Sequence, residues 1–133
     1  MKYLSLLIIF SLFPFSCNTQ EIITADRVDI VFYGRAKGGA LRRSLTVTDR
    51  KKVLLLGKSF TGTESASLYR CGYTGSIFFY RSGKKILSAE LNLSGAGAHF
   101  VSLQNEKLIS WRIRAEGLKL LRNMYKESIP EEN

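Results

Sequence analysis

The chain is poor in the residues that build reactive centres. Its 133 residues hold two cysteines, Cys17 and Cys71, and one histidine, His99. One imidazole and one thiol without close carboxylates do not fill a tetrahedral shell, so no metal site is expected. Acids are also scarce, eleven against twenty Lys and Arg. Those within the body, such as Asp26, Asp29, Asp49, Glu64, Glu90, Glu106 and Glu116, are scattered, with no glycosidase-like pair marked. Gly57-Lys58-Ser59 has the ending of a phosphate-binding loop, but Lys52 stands where that loop needs its first glycine. No internal repeat is present and no cofactor is implied. The one nucleophilic arrangement open to the chain is a Cys71–His99 dyad. Nothing in the spacing requires the two to meet. Cys71 reads first as a buried small hydrophobe, then as half of a disulfide to another chain or to an unlipidated Cys17, and last as a reactive nucleophile beside Arg70.

Long hydrophobic runs are limited to one. Tyr3 to Phe15 is thirteen residues, almost wholly apolar. As a helix it spans about 20 Å, short of a hydrocarbon core of about 30 Å. With Met1-Lys2 before it and Pro14 near its end, it fits the apolar core of an export signal. The run closes on Phe15-Ser16-Cys17 and turns polar at Asn18-Thr19-Gln20-Glu21. A small residue directly before a cysteine is the pattern of a lipobox. In that reading residues 1–16 are removed and Cys17 carries diacylglycerol and N-terminal acyl chains such as palmitate. Each buried methylene contributes about 0.8 kcal/mol, so two or three chains hold a protein at a membrane without a spanning segment. The alternatives are an ordinary secretory signal, with Cys17 removed or left as a thiol, and, behind it, a retained uncleaved anchor. Asn18, rather than Asp, follows the cysteine, which favours the outer membrane.

The formal charge is +9, and losing Lys2 with the leader leaves about +8. Such a surface attracts anionic lipid, acidic polysaccharide or an acidic protein; export argues against nucleic acid. Removing 16 residues leaves 117, enough for one modest core. The division expected is a signal peptide over 1–16, a lipid-anchored tether over 17–25, one domain over 26–128 and an acidic tail over 129–133.

Within the domain, RVDIVFY at 27–33 alternates as a half-buried strand, GRAKGG at 34–39 reads as a loop, and 41–47 is a second strand. Thr48 or Asp49 can cap a helix over 49–57, which Gly57 can end. Arg50, Lys51 and Lys52 in its first turn oppose the helix dipole, and a strand through KKVLLLG is the competing reading. A Ser/Thr/Gly-rich connection over 58–75 leads to strands at 76–81 and 85–93, joined by Ser82-Gly83. His99 opens a further hairpin, with Ile109, Trp111 and Ile113 inward and Ser110, Arg112 and Arg114 outward. A helix over 115–127 follows, with Leu118, Leu121, Met124 and Tyr125 on its apolar side and Lys119, Arg122 and Lys126 on its wet side. The fold class expected is α+β: one twisted antiparallel sheet of about five to six strands with two helices packed on one face.

The basic residues are the most specific functional hint. Arg42, Arg43, Arg50, Lys51 and Lys52 gather around the first helix, Arg112 and Arg114 share a strand face, and Lys119, Arg122 and Lys126 stripe the last helix. They read either as a solvated basic surface or as a site for an anionic surface or partner. Tyr69, Tyr73 and Tyr80 near Arg70 and Arg81 read as an aromatic-basic platform or as packing.

The leader, RCGYTGSIFFYRSGK, the glycine turn before His99, and SWRIRAEGLKLL together resemble small uncharacterised lipoproteins of Bacteroidetes-type bacteria. That resemblance covers the leader and the segment from Tyr69 onward. It implies an envelope location and a shared fold, and no chemistry. The function expected is a membrane-anchored, non-enzymatic binding or accessory module. An inhibitor or immunity-like protein acting on a secreted enzyme or toxin is the second reading, and a thiol-dependent enzyme at Cys71 and His99 the third.

Overall fold

The computed structural model describes residues 22–36, 39–60, 73–94, 97–104 and 106–130. They form one antiparallel sheet of seven strands and two helices. The strands are β1 (Arg27–Ala36), β2 (Gly39–Val47), β3 (Gly75–Arg81), β4 (Lys84–Asn92), β5 (His99–Gln104), β6 (Lys107–Arg112) and β7 (Ile129–Pro130). The helices are α1 (Arg50–Ser59), between β2 and β3, and α2 (Ala115–Glu127), between β6 and β7. The order across the sheet is β6-β5-β4-β3-β1-β2-β7.

The alternation of side chains sorts the sheet into two faces. Val28, Ile30 and Phe32 of β1 lie opposite Val47, Leu45 and Arg43 of β2, and opposite Phe79, Ile77 and Gly75 of β3. The same face continues through Leu87, Ala89 and Leu91 to Phe100 and Trp111. Both helices pack on it. Phe60, which ends α1, meets Phe79 at 5.5 Å and Phe100 at 4.1 Å between ring centroids. Phe100 stacks on Trp111 at 4.9 Å, and Tyr125 of α2 meets Phe32 edge-on at 5.4 Å. These rings, with Leu56, Leu121 and Met124 from the helices, make the buried core.

Local chemistry explains the elements. The Asp49 carboxylate accepts from the Lys52 N–H at 3.0 Å and caps α1. This satisfies one of the helix's free donors and sets an acid against the three cations of its first turn. Lys52 also pairs with Glu127 of α2 at 4.0 Å. The helix is therefore formed, and the strand reading of KKVLLLG is wrong. Ser82 and Gly83 have φ of 50° and 77°, the left-handed pair that a two-residue hairpin turn needs. The close approaches rest on glycine. A Cβ on Gly75 would lie 2.6 Å from the Val31 carbonyl oxygen, and one on Gly117 would lie 2.1 Å from the Ser59 oxygen.

Several expectations need correction. The strand count is higher than five to six, partly because Ile129-Pro130, assigned to an acidic tail, pairs with Ser44 and Arg43 of β2. Gly57 does not end α1. It is buried inside the helix, where a Cβ would sit 3.1 Å from the Ile22 carbonyl oxygen. The stretch over 34–39 is mostly strand, since β1 runs to Ala36 and β2 begins at Gly39. Ile22 is buried and Asp26 accepts from the Ser82 N–H at 2.7 Å, so packing begins ahead of residue 26. Tyr125 belongs to the apolar side only in part, being 39% exposed. Ser110, assigned outward by alternation, is buried. Alternation tells which face a residue joins, not what covers that face. The Cys71, Tyr69 and Arg70 expectations, like those for the leader and Cys17, fall outside the described residues.

Candidate functional site

The expected basic residues do not converge. Arg42 and Arg43 are neighbours on β2 and so point to opposite faces. Arg42 lies on the face away from the helices, with its guanidinium 5.8 Å from the Tyr33 ring centroid. Arg43 lies on the helix side, donating to the Ser128 hydroxyl at 3.0 Å and to its carbonyl at 2.6 Å, 5.4 Å from the Tyr125 ring centroid. It ties α2 and β7 to the sheet. Arg50 and Lys51 are exposed on α1, and Lys52 is committed to Glu127. Arg112 closes β6, while Arg114 is the N-cap residue of α2 and so does not share its strand. Five strand spacings of about 4.8 Å put Arg112 and Arg42 about 24 Å apart across the sheet.

His99 is buried at the start of β5, with Nδ1 2.7 Å from the Gly97 carbonyl oxygen. This is the local hydrogen bond expected of a strand-start histidine. Among the described residues no group of three His, Cys, Asp or Glu side chains is placed to hold a metal ion. The aromatic-basic platform is not assembled as expected among the described residues. Tyr80 lies under Arg27, at 4.1 Å, and Arg81 donates to Thr24 at 3.0 Å.

The structure instead assembles a site at the end of the sheet where β3 begins and β4 ends. An open groove of about 480 Å³ lies there, lined by Phe32 and Tyr33 of β1, Thr74, Leu93 and Ser94, and Arg122, Tyr125 and Lys126 of α2. The groove lies in the lower half of the range of small-molecule sites, roughly 300–1,000 Å³. Arg122 and Lys126 are one helical turn apart and so share a side of α2. Arg122 gives one hydrogen bond to the Leu93 carbonyl at 3.2 Å. Neither cation has an acidic partner among the described residues. Among the described residues no carboxylate lines the groove.

The hydroxyls of the groove are already committed. Ser76, buried beside β1, donates to the Glu90 carboxylate, 3.0 Å from each oxygen. With its one proton so placed, Ser76 accepts from the Tyr33 hydroxyl, which holds the Tyr33 ring on the face away from the helices, at the edge of the groove. The Thr74 hydroxyl donates to the Leu91 carbonyl at 3.3 Å and accepts from the Leu93 N–H at 2.9 Å. The Ser94 hydroxyl donates to the Asn92 side chain at 2.6 Å. The backbone is paired as well: the Tyr33 N–H reaches the Thr74 carbonyl at 2.8 Å, and the Thr74 N–H reaches Leu91 at 2.7 Å. The free character left to the groove is apolar surface and positive charge.

Sequence reasoning counts the stripe Lys119, Arg122, Lys126 among the basic residues open to an anionic partner, but does not join it to the apolar wall beside it. The signal was present in α2, where Tyr125 sits between two cations. The other wall comes from strand ends far apart in sequence, and only the register of β1, β3 and β4 brings them together. No family model matches the chain, and neither curated proteins nor solved structures yield a match.

Proposed function

We propose that this protein is a lipid-anchored, non-enzymatic binding module of the cell envelope, and that its binding element is the groove beside α2. The leader ending at Ser16-Cys17 supports the anchor. Five residue steps from Cys17 to the packed Ile22 span at most about 17 Å of extended chain, so the anchor would hold the body close to the membrane surface. No described helix is long and apolar enough to cross a membrane. The observation that carries the binding role is the pairing of an apolar wall with two cations, Arg122 and Lys126, that no acidic side chain neutralises among the described residues.

Cell fractionation of the wild type and Cys17→Ser tests the anchor. The wild type is expected in the envelope fraction, resistant to salt washing and released by detergent. The variant is expected to leave that fraction. Equal retention of the two, or release of the wild type by salt, would overturn lipid anchoring.

A further inference from the structure

The proposed binding role leaves the ligand open, and the chemistry of the groove narrows it. We propose that the groove takes a long-chain fatty acid, its carboxylate over Arg122 and Lys126 and its hydrocarbon chain along Phe32, Leu93 and Tyr125. The identification rests on the groove being a binding element, as proposed above. Three properties of the wall lead to it.

The first is charge. The rim carries two cations of one helix face, and the described lining residues include no acid, so an anionic head complements the groove. Arg122 keeps donors beyond the one spent on Leu93, and a planar fork suits a carboxylate. The second is hydrogen bonding. A peptide or sugar entering the groove must exchange its bonds to water for bonds to protein, and polar groups buried without partners are costly. The hydroxyls of Tyr33, Thr74 and Ser94 and the strand-end amides are occupied within the protein. A hydrocarbon chain asks for none of them and gains from the apolar wall. The third is size. About 480 Å³ suits one small-molecule ligand rather than a folded partner.

The test is photolabelling of the full chain in zwitterionic lipid nanodiscs with a fatty acid that carries a diazirine in its chain. Labelled peptides are mapped by mass spectrometry. Saturable label is expected on peptides containing Phe32, Leu93 or Tyr125. Excess palmitate is expected to remove it, while hexadecanol (the same chain without charge) and acetate (the head without a chain) at equal concentration do not. Arg122→Gln combined with Lys126→Gln should lower labelling about tenfold or more, as loss of charge-assisted hydrogen bonds implies. Lys119→Gln, on the same helix but outside the groove lining, should leave it unchanged. These three cations are exposed, so each variant is expected to keep its fold, which thermal unfolding checks. Label that does not saturate, label lying elsewhere on the chain, competition by hexadecanol or acetate equal to that by palmitate, or undiminished labelling of the double variant would each overturn the assignment. The labelling is run on wild type and Cys17→Ser alike. Label in both with Cys17 unmodified would sink the anchor and keep the ligand. An acylated Cys17 with an unlabelled groove would do the reverse.

Discussion

Gly117→Ala sets two known effects against each other at the place where the helices meet. Gly117 is buried in the first turn of α2, and a Cβ built there lies 2.3 Å from the Ser59 Cβ and 2.1 Å from its hydroxyl oxygen. Carbon atoms rest at about 3.5 Å or more, so roughly 1.2 Å of separation has to be found. The Ser59 side chain has little room to give. It is buried, and its hydroxyl is bonded to the Leu55 carbonyl at 2.7 Å. Alanine improves helix propensity by about 0.8–1.0 kcal/mol. Overpacking of a filled contact costs about 1–3 kcal/mol. Set against each other these leave a net loss of up to about 2 kcal/mol in urea unfolding, toward the upper end because the clash falls on the buried Ser59 Cβ. Ser59→Gly in the Gly117→Ala background removes the clashing atoms, so a double-mutant cycle should return a favourable coupling of about 1 kcal/mol or more. Stabilisation by Gly117→Ala close to the propensity gain, with additive single and double variants, would refute the contact. The same contact seats α2, which carries one wall of the groove, so the variant should also weaken fatty-acid labelling.

Phe60→Ala should cost about 3–5 kcal/mol, because the ring is fully buried against Phe79 and Phe100. That is a large share of a typical stability of about 5–15 kcal/mol, and a loss under about 1 kcal/mol on denaturant titration would place Phe60 outside the core. Asp49→Ala should cost about 0.5–2 kcal/mol through loss of the α1 cap. Asp49→Asn, which keeps an accepting oxygen, should cost less, and equal melting temperatures for the two variants would argue against capping. Gly83→Ala should destabilise by about 1–2 kcal/mol through its φ of 77°, with open space around the added methyl. An unchanged melting temperature would show that the turn tolerates a side chain.

The elements were legible where local rules act alone. The alternation in β1, the Ser82-Gly83 turn and the period of α2 name their own structures. α1 was harder, because its three leading cations weigh against a helix and only the Asp49 cap, Glu127 on α2 and the packing of Leu56 and Phe60 decide for one. Gly57 and Ile129-Pro130 were misread for a common reason. Local rules make glycine and proline breakers, while a close approach by Ile22 and a free edge on β2 give them other roles. The site was least legible. A run such as Arg42-Arg43 looks like a patch, but adjacent strand residues face apart, and Arg43 turns inward to Ser128 and Tyr125. The groove joins Phe32, Leu93 and Arg122, whose nearness follows only from strand register and the seat of α2.

On the proposed reading a lipid-bearing Cys17 begins the mature chain and would set where the groove meets its ligand. Intact-mass spectrometry of the protein extracted from membranes measures this directly. The account predicts a chain that starts at Cys17 and carries the mass of a diacylglycerol with or without a further acyl group. An unmodified terminus, or residues 1–16 still attached, would contradict it.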